Sequence, residues 1–251
     1  MSTIDQLLTQ AIEAQNNLTA VVATKMASIN ASVAAAIAAV PALEKTCFLD
    51  EIAGSDTNDG LTAGTAFATM TKCATLSQIG GILTIKIVGD YTLKAPEVTF
   101  KKNSVTFITS AARKTDGSIY SLNLALFDDG VTAGSKVVSS LASLHGYNSI
   151  STDQLNVVFP LNPTNAPITQ PEFLRVRGLG DLSIRSNIFS GAITSAGRVG
   201  CWMKSRGQGR VELYLYSTTY TSDMAGRWLN GMAAAADPKS YTDVLTNLTS
   251  L

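Results

Sequence analysis

Residues 46–69, TCFLDEIAGSDTNDGLTAGTAFAT, decide the reading of the fold. Thr46 to Leu49 reads as a short strand. From Asp50 to Thr62 the chain then packs Asp, Asn, Ser and Gly at a density that favours Asx-turns and positive-φ positions, which makes a tight, ordered loop. Ala66, Phe67, Ala68 and Thr69 lead into a short helix-like stretch through Leu76 and Ile79, closed by Gly80 and Gly81. Next, Leu83, Ile85 and Ile87 alternate with Ile82, Thr84, Lys86 and Val88, the period of a strand with one buried face. Gly89 and Asp90 turn the chain, and further short runs follow at Tyr91–Leu93, Val98–Phe100 and Val105–Ile108. Strands this short cannot bury a face alone and suit stacked coils, although a β-sandwich would show the same spacing.

Three pieces in order, Phe48-x-Asp50, then Gly54 to Thr62 with Asp56, Asn58, Asp59 and Gly60, then Ala66-Phe67-x-Thr69, resemble a known segment. It is the segment that opens right-handed, pectate-lyase-like parallel β-helix domains in bacteriophage tail fibres and tailspikes. The likeness spans residues 1 to about 110, and related loops precede β-helices in bacterial surface proteins and polysaccharide lyases. What it implies is a virion protein assembled in the host bacterial cytoplasm as a homotrimer. In such fibres the helical end, here residues 1–40, attaches to other virion proteins of the tail or neck while the β-rich end projects. Phe67 is expected to plug the end of the core.

The first forty residues carry their own signal. Ile4, Leu7, Ala11, Gln15, Leu18, Val22, Met26, Ile29, Val33, Ile37 and Val40 are spaced 3, 4, 4 and then again, an 11-residue repeat. At 3.67 residues per turn the seam runs almost straight or drifts weakly right-handed. Gln15 is equivalent to Ile4, Met26 and Ile37 and is the one polar member of that layer, and a single polar layer fixes register at some cost in stability. A helix from residue 4 to 40 would be roughly 55 Å long, and Pro41 would end it. So narrow a seam must be buried against copies of itself, a partner, or the chain's own globular part, and its unbroken length favours self-association. The 18 uncharged residues from Met26 to Leu43 are mostly alanine with Ser28, Asn30, Ser32 and Pro41, so membrane insertion is not expected.

Composition narrows the partners. Lys and Arg together number 19, as do Asp and Glu, which gives no general reason to expect nucleic acid. Cys47, Cys73 and Cys201 are scattered and odd in number, so they read as small buried residues made in a reducing compartment. The first basic residue is Lys25, which does not fit a classical export signal. Catalytic chemistry has little to stand on: His145 is the single histidine, and the adjacent acidic pair Asp128 and Asp129 sits in a turn-like setting before Gly130. No catalytic, cofactor or metal residues are assigned. One local asymmetry survives, because residues 170–210 hold Arg175, Arg177, Arg185, Arg198, Lys204, Arg206 and Arg210 against Glu172 and Asp181. Arg175, Arg206 and Arg210 are the candidates for contact with an anionic host glycan or a neighbouring protein.

Beyond residue 110 the pattern weakens. Residues 121–170 give no regular period, strands resume at 173–176, 182–184, 198–203 and 210–216, and two helices are expected near Asp223–Met232 and Asp237–Leu248. The expected fold is mainly β with α: an oligomeric coiled coil over 1–45, a short β-helix or related β domain over 46–220, and a helical end over 221–251. The expected function is a structural phage fibre that holds and binds. A small polysaccharide depolymerase and a bacterial surface adhesin are the alternatives.

Overall fold

A computed structural model describes residues 3–39, 43–101, 104–144, 147–177, 183–203 and 210–251. Two units divide the chain, Met1–Ala42 and Leu43–Leu251. Within the first, a single helix runs from Thr3 to Ala39. Val40, the last seam position, and Pro41 lie outside the described residues.

The second unit is mainly β. Its largest sheet has seven strands, Glu44–Leu49, Ile82–Ile87, Val105–Ser110, Tyr147–Asp153, Ser183–Phe189, Val211–Tyr216 and Val244–Thr246, which lie side by side in chain order. Every neighbouring pair is parallel. A five-stranded sheet of Tyr91–Thr92, Tyr120–Asn123, Leu155–Val158, Ala192–Thr194 and Thr219–Tyr220 repeats that order. So does a four-stranded sheet of Glu97–Phe100, Ser140–Leu144, Glu172–Arg177 and Cys201–Met203. The chain therefore visits the three sheets in rotation, and each return lays a strand beside its predecessor. One insertion interrupts it, an antiparallel hairpin of Leu126–Asp128 and Lys136–Val138 to which Ile168–Gln170 adds.

Alternation explains which side is core. In Ile82–Ile87 the side chains of Leu83, Ile85 and Ile87 are buried while their neighbours are half-exposed. Each such buried aliphatic contributes about 1.5–3 kcal/mol. Trp202 is fully buried, meets Phe173 edge-to-face at 5.2 Å and donates its indole N–H to Ser186 Oγ at 3.0 Å. The buried Tyr91 hydroxyl accepts the Met70 N–H at 2.9 Å and so seats the short helix Met70–Ala74. Burial pushes that phenol up to about 12.

Corners are built alike. Gln154, Ser190 and Ser217 each follow a strand of the large sheet, and each has positive φ, at 49°, 44° and 49°. The Gln154 N–H donates to Phe189 O at 3.1 Å and the Ser190 N–H to Tyr216 O at 2.9 Å, so one corner holds the next. That support offsets a left-handed cost of about 1–2 kcal/mol per residue.

The expected C-terminal helices do not form. Ser222–Met224 and Pro238–Ser240 are single 3-10 turns, and Val244–Thr246 is a strand paired with Val211–Leu213. Gly226 and Gly231 sit at φ +76° and +79° and Ala235 at +62°, all outside helical space. Met224, Trp228 and Leu229 are buried all the same, since Arg227 to Asn230 runs beside Cys201–Met203 and bonds to it. Residues 121–170, patternless in sequence, hold strands because Ser140, Ser149, Ser151 and Thr152 are themselves buried, which hides the hydrophobic alternation.

Candidate functional site

Three regions were singled out by sequence, and the structure treats each differently. The helix seam stands exposed: Ile4 is 75%, Met26 59% and Ile37 69% accessible, and Leu7, Leu18, Val22, Ile29 and Val33 are exposed too. Ala11 and Gln15 are likewise exposed. Leu8, Ile12 and Val21 are also exposed and widen the apolar stripe beyond the 11-residue frame. Threonine hydroxyls on this helix turn back on its own carbonyls, Thr9 to Asp5 O, Thr19 to Gln15 O and Thr24 to Ala20 O, at 2.8–2.9 Å. That internal bonding removes donors from its polar face. By length and composition the stretch Thr3–Ile37 is long and apolar enough to cross a membrane.

The Asp/Asn/Gly loop is a lock around Phe67. Phe48 N–H donates to Gly60 O at 2.8 Å, Phe67 N–H to Phe48 O at 2.9 Å and Asp50 N–H to Phe67 O at 2.9 Å. Asp50 Oδ1 accepts the N–H groups of Ile52 and Ala53. Asp56 takes the Ala68 and Thr69 N–H groups on Oδ1 and the Thr69 hydroxyl on Oδ2. Asn58 Nδ2 donates to Ala66 O at 3.0 Å. Asp59 accepts from the Leu61 N–H and the Thr65 hydroxyl, which holds its carboxyl below the usual range. A Cβ on Gly54 would lie 2.3 Å from Phe67 O, and one on Gly60, at φ +71°, 2.3 Å from the Phe67 ring. Phe67 is buried against Leu49, to which it also bridges. Each motif carboxylate is thus engaged by the loop's own donors.

The arginine-rich stretch is internally balanced where it is described. Arg175 is buried, contrary to its reading as an exposed anionic contact. Its guanidinium lies 3.4 Å from Glu172 and 4.0 Å from Glu97, and it donates to the carbonyls of Val138 and Gln170. Asn230 completes the cluster by donating to Glu172 at 2.8 Å. Glu97, Val138 and Asn230 come from other circuits than Glu172 and Arg175, which is why no local pattern announced the whole cluster. Arg210 is exposed but lies 3.4 Å from Glu212, the same carboxylate that Arg185 Nε reaches at 2.6 Å. Arg198 donates to Phe159 O at 2.7 Å. Arg206 lies outside the described residues.

For catalysis, Asp128 pairs with Lys136 at 2.7 Å across the inserted hairpin, and the Asp129 N–H donates to Ser135 O. That is a turn held by its own charges. His145 lies outside the described residues. All three cysteines are buried and free, and burial pushes the Cys201 thiol up to about 12. The Cys73 thiol is raised by its hydrogen bond with Cys47 and by burial. Protonated thiols of this kind are poor nucleophiles. Among the described residues no cluster of three or more His, Cys, Asp or Glu is placed to hold a metal.

Sequence reasoning missed one feature, a row of aromatic rings on the outward face of the large sheet. Phe189 and Tyr216 stack at 5.1 Å with 8° between planes, and Tyr214 and Tyr216 at 6.5 Å with 19°. The signal was the alternation Tyr214-Leu215-Tyr216 at the end of a strand, opposite an aromatic whose register only the fold reveals. Compared with protein-family models, curated proteins and solved structures, the chain matches none.

Proposed function

We propose that the chain is the subunit of a bacteriophage virion fibre, of the tail or of the neck and collar. Its residues 1–40 associate as a three-stranded helical bundle and join other virion proteins. Its stacked circuits form a right-handed parallel β-helix, and its work is to hold and to bind during host attachment. The observation that carries this reading is a 37-residue helix whose apolar stripe is exposed along its described length, on a chain whose other unit stacks parallel strands in chain order. Apolar surface on that scale leaves water by association. The number three comes from the resemblance to tail fibres, since an 11-residue repeat is compatible with other strand numbers. The engaged carboxylates of the Asp/Asn/Gly loop and the Asp128–Lys136 pair favour holding over hydrolysis. Light scattering of the full-length chain at micromolar concentration should give about 79 kDa, three times the 26.4 kDa chain mass. A monomer would sink the proposal.

A second reading has one specific observation behind it, the length and apolar composition of Thr3–Ile37. Here the helix would anchor the chain in a bilayer. Flotation with phosphatidylcholine vesicles separates the two: a fibre trimer stays in the dense fraction, an anchored chain rises.

A further inference from the structure

Strand alternation points Tyr214 and Tyr216 away from the core that buries Leu213. Register sets Asn187 beside Tyr214 and Phe189 beside Tyr216, and on the next strand Asp153 beside Phe189. The rings of Phe189 and Tyr216 thereby continue one another across two circuits. Beyond Tyr216 the row stops. Val244–Thr246 pairs only with Val211–Leu213, and the backbone of Leu215 is met by the Asn247 amide instead, at 2.9 and 2.6 Å. Tyr216 is left 45% exposed at the end of the stack.

The polar flank is under-used. The Asn187 amide nitrogen donates to Ser151 Oγ at 3.1 Å, while its oxygen takes no partner among the described residues. Partial burial raises the pKa of Asp153, and among the described residues its carboxylate has no side-chain partner. On the same face Arg185 and Arg210 share Glu212, so their charges are largely committed. A flat apolar ring face beside these acceptors, with Arg185 and Arg210 paired to Glu212 and the Lys86 ammonium set over the Phe48 ring two strands beyond Asp153, fits a ligand with apolar C–H faces and many hydroxyl donors. A phosphate-bearing strand would need cations here and would meet Asp153 instead.

We infer that Phe189, Tyr214 and Tyr216, flanked by Asp153 and Asn187, form a binding platform for an uncharged saccharide. A pyranose ring extends the stack on Tyr216, and its hydroxyls donate to Asp153 and Asn187. This inference deepens the binding half of the fibre reading, and rests on it, by naming the ligand class.

The test is affinity electrophoresis of the full-length chain through gels containing a neutral galactomannan, a neutral β-glucan or, as an anionic control, dextran sulfate. Retardation is expected in at least one neutral gel. It should weaken at least about tenfold in Tyr216→Ala, the loss expected at a central aromatic contact, and persist in Tyr216→Phe, because the ring stacks and the hydroxyl does not. Tyr214→Ala is the second variant should Tyr216→Ala fail to fold, with thermal unfolding as the control. No retardation in either neutral gel, or equal retardation in the folded alanine variants, overturns the platform. Retardation by dextran sulfate alone overturns it as well. So does a drop in mass by light scattering in Tyr216→Ala, which would make the patch a contact between copies. Failure of the platform leaves a 79 kDa trimer intact, whereas a monomer that binds the neutral gel removes the fibre and keeps the platform, so the two ideas fail separately.

Discussion

Gly60 shows how one atom can decide a loop. Its φ of +71° lies where a side chain is strained, and a Cβ there would stand 2.3 Å from the Phe67 ring. Gly60→Ala should therefore cost about 2–4 kcal/mol, from left-handed strain plus overpacking. Thermal unfolding should report it as a fall of roughly 5–15 °C, and an unchanged transition would mean that the loop is not the lock described. This much was legible in sequence, because Gly and Asx residues announce their own turns. The setting of Arg175 was not, since Glu97 reaches it and Asn230 reaches its strand neighbour Glu172 from other circuits, and only folding brings them together. Asp153 offers a pH-dependent test. Its pKa is raised by partial burial, so the folded chain holds that proton more tightly than the unfolded chain does. The stability so contributed is complete below the unfolded value, about 3.9, and is lost as pH rises through the folded one. Asp153→Asn should accordingly raise the melting temperature at pH 7 and leave it nearly unchanged at pH 3. The opposite ordering would show that an unseen cation stabilises the carboxylate.

Among elements, the N-terminal helix was the easiest to read and the C-terminal ones the easiest to misread, for the same reason. A period of 11 over eleven positions averages out accidents, and Thr3–Ala39 is indeed one helix. Apolar residues at 224, 228, 229 and 232 fit a helical spacing over barely two turns, and two glycines in the left-handed region cancel it. Their burial comes from lying along Cys201–Met203, a tertiary pairing that local spacing cannot foresee. The strands of 140–153 failed in the other direction, because buried serines look like solvent-facing ones until the neighbouring circuit is in place. Gln15 tests the helical frame itself. If it occupies a buried layer of a bundle, Gln15→Ile should stabilise the helical segment by about 1–3 kcal/mol per chain and loosen its register or strand number. Circular dichroism melts with sedimentation of the same variant check both. No change in either would place Gln15 on the solvent side and shift the seam toward Leu8, Ile12 and Val21.

On the scale of the molecule, the division at Ala42 and Leu43 separates two kinds of stability. The second unit carries its own core, with Tyr91, Phe100, Phe159, Phe173, Trp202 and Trp228 buried within it and sheet neighbours drawn from every circuit. The helix presents an exposed apolar stripe, and a lone helix gains most of its stability from packing its apolar face. Association and folding should therefore come apart on truncation. Deleting residues 1–40 should leave a β-rich chain that unfolds cooperatively with its near-ultraviolet aromatic signal intact, because the aromatic residues all lie beyond that point. On the proposed fibre reading, its mass by light scattering should fall from about 79 kDa, three times 26.4 kDa, to that of a single chain, and incorporation into virions should be abolished. The isolated peptide 1–40 should be helical in a concentration-dependent way, since an assembling helix gains from mass action what a solitary one lacks. A truncated chain that still assembled would move the interface onto the stacked circuits and detach residues 1–40 from oligomerisation, leaving them to attachment or to the bilayer.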